Sequence, residues 1–263
     1  NYETCVALEA FRAANGDHRY DEIVKKADAY LRGLQWDSTK NVEKSDVRFG
    51  GAGYGGDKSR PDLSNTSFLI DALKSAGAGP DDPVLQKALV FVSRCQNLES
   101  EYNTTEFAAK DPDGGFYYTV AAGGSSPAGK TDNGGLRSYG SMTYAGLKSM
   151  IYAGVGRDDP RVKAAYEWAR QHYDLASNPG MGDAGLYYYY QALAKALSAI
   201  GEEQITDAKG AKHPWRADLV RALAERQRPD GSWVNENGRW LEGDANLVTG
   251  YALLALSYCR PAK

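Results

Sequence analysis

A helical repeat, more than any other feature, limits what this chain can fold into. Five segments align on a threonine or tyrosine that is followed seven residues later by a large apolar side chain. The pairs are Thr4 and Phe11, Thr66 and Leu73, Thr143 and Met150, Tyr190 and Leu197, and Thr249 and Leu256. A small residue precedes each large one (Ala10, Ala72, Ser149, Ala196, Ala255), and apolar or small residues stand three and four places after the first position. Offsets of three, four and seven share one helical face. Gly77, Gly154 and Gly201 follow three of the segments, where a left-handed residue ends a helix.

A second helix type alternates with the first. Ala27-Leu31-Gln35, Ala88-Val92-Gln96, Ala164-Trp168-His172 and Leu219-Leu223-Gln227 each recur at steps of four, and Asp82-Pro83 and Asp159-Pro160 open two of these helices as N-cap and first turn. The first type carries more small residues and less charge; the second carries Lys25, Lys26, Glu167, Arg170, Arg221 and Glu225. Buried helices alternating with half-exposed ones predict an all-α fold, a double-layered (α/α) toroid of about five helical hairpins. The whole of 1–263 reads as one domain. Because its first residues already lie in an inner helix, the ring is expected to lack an N-terminal helix or segment. The longest gap between repeats holds a loop over residues 99–137, in which Gly114-Gly115-Phe116-Tyr117-Tyr118 suggests a short hairpin.

Net charge is −3 and the isoelectric point about 5.7, so neither nucleic acid nor an anionic membrane surface is an expected partner. No apolar run approaches the roughly 20 residues of a membrane-spanning helix. Cys5, Cys95 and Cys259 are too few and too scattered for a disulfide framework or zinc cluster, so no metal is expected. The compartment is left open.

Gln227-Arg228-Pro229-Asp230-Gly231-Ser232-Trp233 follows an outer helix, with weaker copies at Gln35 with Gly53-Tyr54, Gln96 with Gly114-Gly115-Phe116, and Gly185-Leu186-Tyr187 after His172. This pattern resembles the QW repeat of squalene cyclases, and the chain is similar to the terpenoid cyclase and protein prenyltransferase superfamily along essentially its whole length. Asp62-Leu63-Ser64-Asn65-Thr66 sits in the register of the acidic motif of squalene–hopene cyclases. Ser64 stands where the proton-donating aspartate would, and a serine hydroxyl is far too weak an acid to protonate an alkene. The same register matches the zinc ligands of prenyltransferases, of which Asp62 alone has a counterpart. The resemblance therefore implies a toroid holding an isoprenoid or other apolar ligand in its centre, without the acid or zinc chemistry of those enzymes. Mg²⁺ would enter only if that ligand carried a diphosphate.

Asp62 is the one carboxylate in the motif register and the candidate catalytic group. Ser64, Asn65, Tyr139, Ser141, Tyr187, Tyr188, Asp244 and Asn246 are the candidate ligand contacts, because converging inner-helix N-termini favour an anionic head group. Each has a plainer reading. Asp, Ser and Asn before a helix are favoured caps, and tyrosines in a helix bundle pack. The four consecutive tyrosines 187–190 cannot all face one way, so one or two are expected to point to the ring centre. Glu236, Glu242, Lys130 and Asp132 read as surface charges, with Glu242 and Asp244 also suited to a helix N-terminus. Two further functions stay open beside the apolar-ligand reading. One is a non-catalytic repeat scaffold binding protein or lipid, favoured by a side-chain-plugged centre. The other is a carbohydrate-active toroid, which needs two carboxylates about 5–10 Å apart.

Overall fold

The computed structural model describes residues 1–55 and 60–260. Among these, nine α-helices account for almost all regular structure: α1 (Tyr2–Ala13), α2 (Asp21–Leu34), α3 (Leu63–Ser75), α4 (Pro83–Arg94), α5 (Gly140–Tyr152), α6 (Pro160–Gln171), α7 (Leu186–Ile200), α8 (Trp215–Arg226) and α9 (Ala245–Ser257). The chain is all-α. One two-stranded antiparallel ribbon joins Ile205–Thr206 to Lys212–His213. The hairpin expected at 114–118 is not there; Phe116 makes only an isolated bridge to Gln96, because the backbone around it bonds to helix ends instead.

The odd-numbered helices form an inner row, α1 on α3, α3 on α5, α5 on α7 and α7 on α9. Outside them α2 lies against α1 and α3, α4 against α3 and α5, α6 against α5, and α8 against α9. The row curls far enough for Tyr2 of α1 and Tyr251 of α9 to share a hydrogen bond of 2.8 Å between hydroxyls. Residues of α3, α5 and α7 are buried along nearly their whole length, whereas α1 buries Cys5 and Leu8, and α9 only Val248, Ala252 and Ala255. The core is therefore densest in the middle of the row and thins at both ends.

The repeat has a hydrogen-bonding reason. Gln96 at the end of α4 donates through Nε2 to Gly114 O (2.9 Å) and to Arg161 O at the start of α6 (2.9 Å), tying one outer helix to the next. Gln35 does the same one repeat earlier, to Gly50 O (3.0 Å) and Val84 O of α4 (2.8 Å). Gly50, not Gly53, is thus the glycine of that repeat. Gln227 reaches Gly231 O at 2.9 Å, on the surface. Two residues past each glycine, a backbone N–H donates to the repeat's threonine hydroxyl: Ala52 to Thr66 (3.0 Å), Phe116 to Thr143 (3.1 Å) and Trp233 to Thr249 (3.1 Å). Gly50 and Gly114 are irreplaceable by geometry. Both have left-handed φ (84° and 77°), and a Cβ would fall 1.8 Å from Lys87 O or 2.8 Å from Ala164 O. The fourth copy does not follow the pattern. Gly185 opens α7 itself, and Tyr190, in the threonine's place, bonds Leu175 O at 2.6 Å.

Breaking a buried copy should cost more than breaking an exposed one. Gln96→Ala removes the buried donor shared by Gly114 O and Arg161 O and is expected to lose about 2–3 kcal/mol in urea unfolding, while Gln227→Ala loses less than about 1 kcal/mol.

Candidate functional site

All five inner helices run the same way, so their N-termini gather at one end of the row. At that end Asp62 caps α3. Its Oδ1 accepts from Asn65 N (2.8 Å) and its Oδ2 from Asn65 Nδ2 (2.9 Å). Asn1 closes over this pair, donating from Nδ2 to Asn65 O (3.2 Å) and Gly53 O (3.0 Å). Burial pushes the Asp62 carboxyl up to about 6, against the pull of the Asn65 donors, the Tyr118 hydroxyl and the Arg60 charge. Across the axis, Ser64 Oγ lies 3.0 Å from Tyr188 OH of α7. Phe68 packs between Tyr2 (4.8 Å between centroids) and Tyr188 (6.1 Å), and Tyr251 stands beside Tyr188 at 5.9 Å. Burial also raises the Tyr188, Tyr251 and Tyr118 hydroxyls well above the ordinary tyrosine value.

Asp62, Ser64, Asn65 and Tyr188 thus come together, with Tyr139 buried close to Tyr188 and Asp62. The other candidates lie apart. Ser141 is buried under the start of α5, its N–H bonded to Asn178 Oδ1 at 3.1 Å. Tyr187 is buried edge-on against Tyr190, 5.7 Å between centroids. Asp244 and Asn246 are exposed at the start of α9, where Asp244 Oδ1 accepts from Asn246 N at 2.8 Å as that helix's own cap.

Carboxylates stand at three of the five inner-helix N-termini. Asp62 caps α3, Asp244 caps α9, and Glu242 caps α7 from the next loop, accepting from Tyr188 N (2.8 Å), Tyr187 N (3.3 Å) and Asn235 Nδ2 (2.7 Å). Glu242 is buried, which raises its pKa, and it is not the surface charge its sequence context suggests. Asp62 and Glu242 are the buried carboxylates at this end among the described residues, and both have their oxygens engaged by structural donors. Among the described residues no group of three or more His, Cys, Asp and Glu side chains is placed to hold a metal. No helix there is long and apolar enough to cross a membrane.

Deeper along the axis stands a second cluster. Asp71 of α3 accepts at Oδ2 from Lys148 Nζ of α5 (2.7 Å) and from Lys195 Nζ of α7 (2.8 Å), and Lys195 also faces Glu9 of α1 at 3.4 Å. Asp71, Lys148 and Lys195 are 4%, 3% and 6% exposed, so the cluster is enclosed. Burial acts to raise the Asp71 pKa, but the two ammonium charges outweigh it and hold the carboxyl below its ordinary range. Lys195 is raised, its desolvation offset by Asp71 and Glu9. Asp71 Oδ1 is buried with no hydrogen-bond partner. Sequence reading passed over all four residues, yet a signal exists. Glu9, Asp71, Lys148 and Lys195 each stand five places after the repeat's first position, where the fifth copy has Leu254.

No family model matches this chain, and no curated protein matches it.

Two measurements test these assignments. Asp62 binds its proton more tightly folded than unfolded, so its share of stability is whole below about pH 4 and lost as pH rises through about 6. Wild-type stability relative to Asp62→Asn should therefore improve by roughly 2–3 kcal/mol between pH 7 and pH 4. For the deeper cluster, Asp71→Asn leaves buried Lys148 without a carboxylate and Lys195 with Glu9 alone, and should cost about 3–5 kcal/mol, whereas a combined Asp71→Leu, Lys148→Met, Lys195→Met variant should come within about 2 kcal/mol of wild type.

Proposed function

We propose that this chain is a non-catalytic binding module built on a terpenoid cyclase-like α/α toroid, working through its surface and not through a ligand held at its centre. The observation that carries this reading is the shared Asp71 carboxylate, which joins α3, α5 and α7 through enclosed ion pairs where an apolar ligand would have to lie. An isoprenoid placed there would separate the buried Asp71 carboxylate from Lys148 and Lys195, a cost hydrocarbon contact does not repay. Nearer the N-terminal end, Phe68, Tyr2, Tyr188 and Tyr251 pack on one another rather than around a void.

The kinship rests on three supports: the parallel inner row, the glutamine-to-glycine ties of three repeats, and the threonines that receive the following backbone N–H groups. The carbohydrate-active reading has less behind it. It needs two free carboxylates facing one another across a cleft, while Asp62 and Glu242 each serve a helix terminus.

A thermal-shift panel separates the readings. Squalene, polyprenols, polyprenyl diphosphates with and without Mg²⁺, and neutral and acidic oligosaccharides should all leave the melting temperature unchanged. A ligand present at about 100 times its dissociation constant would add about 2.7 kcal/mol. A shift of that size with an isoprenoid would restore the apolar-ligand reading, and one with a sugar alone would favour the carbohydrate reading.

A further inference from the structure

The loop between α8 and α9 holds two bulky residues whose backbone calls for glycine. Trp240 and Leu241 are consecutive, with left-handed φ of 56° and 66°. A large side chain in that region costs stability at each position. The loop's own glycines stand on either side, at 238 and 243, where φ is outside the left-handed region. The fold gains little from this strain. Leu241 is 74% exposed, and Trp240 is 46% exposed with only the edge of its ring laid on Gly185. The loop is locked without Leu241: Asn235 N donates to Glu242 O (2.9 Å), and the buried Glu242 carboxylate accepts from Asn235 Nδ2 and from the first N–H groups of α7. The Arg239 guanidinium lies 4.3 Å over the Trp240 ring. An exposed leucine beside tryptophan and arginine, held at a cost on a rigid turn, has the makings of a binding hot spot.

From this we infer that the Arg239–Trp240–Leu241 turn is the contact point for a partner protein that offers an apolar pocket with a basic rim. The inference rests on the surface-binding function proposed above and says where on the surface it acts. The pocket receives Leu241 and the free edge of Trp240. The rim follows from charge. Asp183 is tied to the loop through Asn235 Nδ2 (2.7 Å to its carbonyl), Glu236 is next in the chain, and Asp244 N donates to Leu241 O at 2.9 Å. All three acids are exposed and outnumber Arg239, so the surroundings of the tip are net negative. A basic rim matches that charge and speeds encounter. A lipid surface fits less well, because two apolar side chains among carboxylates would press those acids onto the headgroups.

The test has one arm on stability and one on binding. Leu241→Gly should not lower the melting temperature and should raise it by up to about 4 °C, since glycine takes the same φ without strain. A photo-reactive leucine analogue at position 241 of the intact chain, in an extract of its source cells, should cross-link to a protein at a site flanked by Lys or Arg. The same analogue at position 23 of α2, which is 45% exposed, should not. The cross-linked protein, once purified, should bind the wild type about tenfold more tightly than Leu241→Gly, and more weakly as salt rises. A lower melting temperature for Leu241→Gly would mean that the leucine serves the fold, and would overturn the inference. So would adducts with lipid, no adduct at all, or equal affinity for wild type and variant. A protein cross-linked from position 23 alone would overturn the role of the turn and leave the surface-binding reading standing. That reading fails instead if an isoprenoid or sugar raises the melting temperature.

Discussion

One carboxylate shared between two lysines sets the terms for the rest of the molecule. Asp71, Lys148 and Lys195 come from three different inner helices, and each would be prohibitively expensive alone in that environment. Together they offset one another at 2.7 and 2.8 Å, with Glu9 extending the set toward a fourth helix. Such a cluster contributes little net stability compared with apolar packing. What it does supply is register, because a slip of α5 or α7 by one residue against α3 would strand a buried charge. The parallel inner row, its spacing and its filled axis follow from satisfying that condition.

The same economy governs the N-terminal end. Gathered helix termini create a region of positive potential, and the chain answers it with its own acids: Asp62 for α3, Asp244 for α9, and Glu242 reaching across to α7. Three of the five inner-helix termini are thereby satisfied by carboxylates of the chain itself. The hydroxyl pairs Ser64–Tyr188 and Tyr2–Tyr251 knit the remaining side chains into the same closure.

Periodic features were legible in the sequence and solitary ones were not. The helix types, their alternation and the pairing of Gln96 with Gly114 and of Gln227 with Gly231 were legible because each recurs at fixed offsets, whereas Gly50 is followed two places on by Ala52 and not by an aromatic such as Phe116 or Trp233. Asp62 as a cap was equally readable, being local. The charge cluster was periodic too, at five places past the repeat's start, but Lys and Asp are so seldom buried that they read as solvated faces. Glu242 capping α7, Asn178 meeting Ser141 and Tyr118 meeting Asp62 join residues 37 or more apart with no recurring signal. Only the folded chain brings them together.

The central claim is that the axis is closed by paired, buried charges. The most direct measurement is nuclear magnetic resonance of the lysine ammonium groups, reading proton exchange and titration at each Nζ. Closure predicts ammonium protons on Lys148 and Lys195 that exchange slowly at neutral pH and respond together when Asp71 is replaced. Rapid exchange of both, indistinguishable from surface lysines such as Lys25 and Lys26, would mean water reaches the axis and would contradict the account.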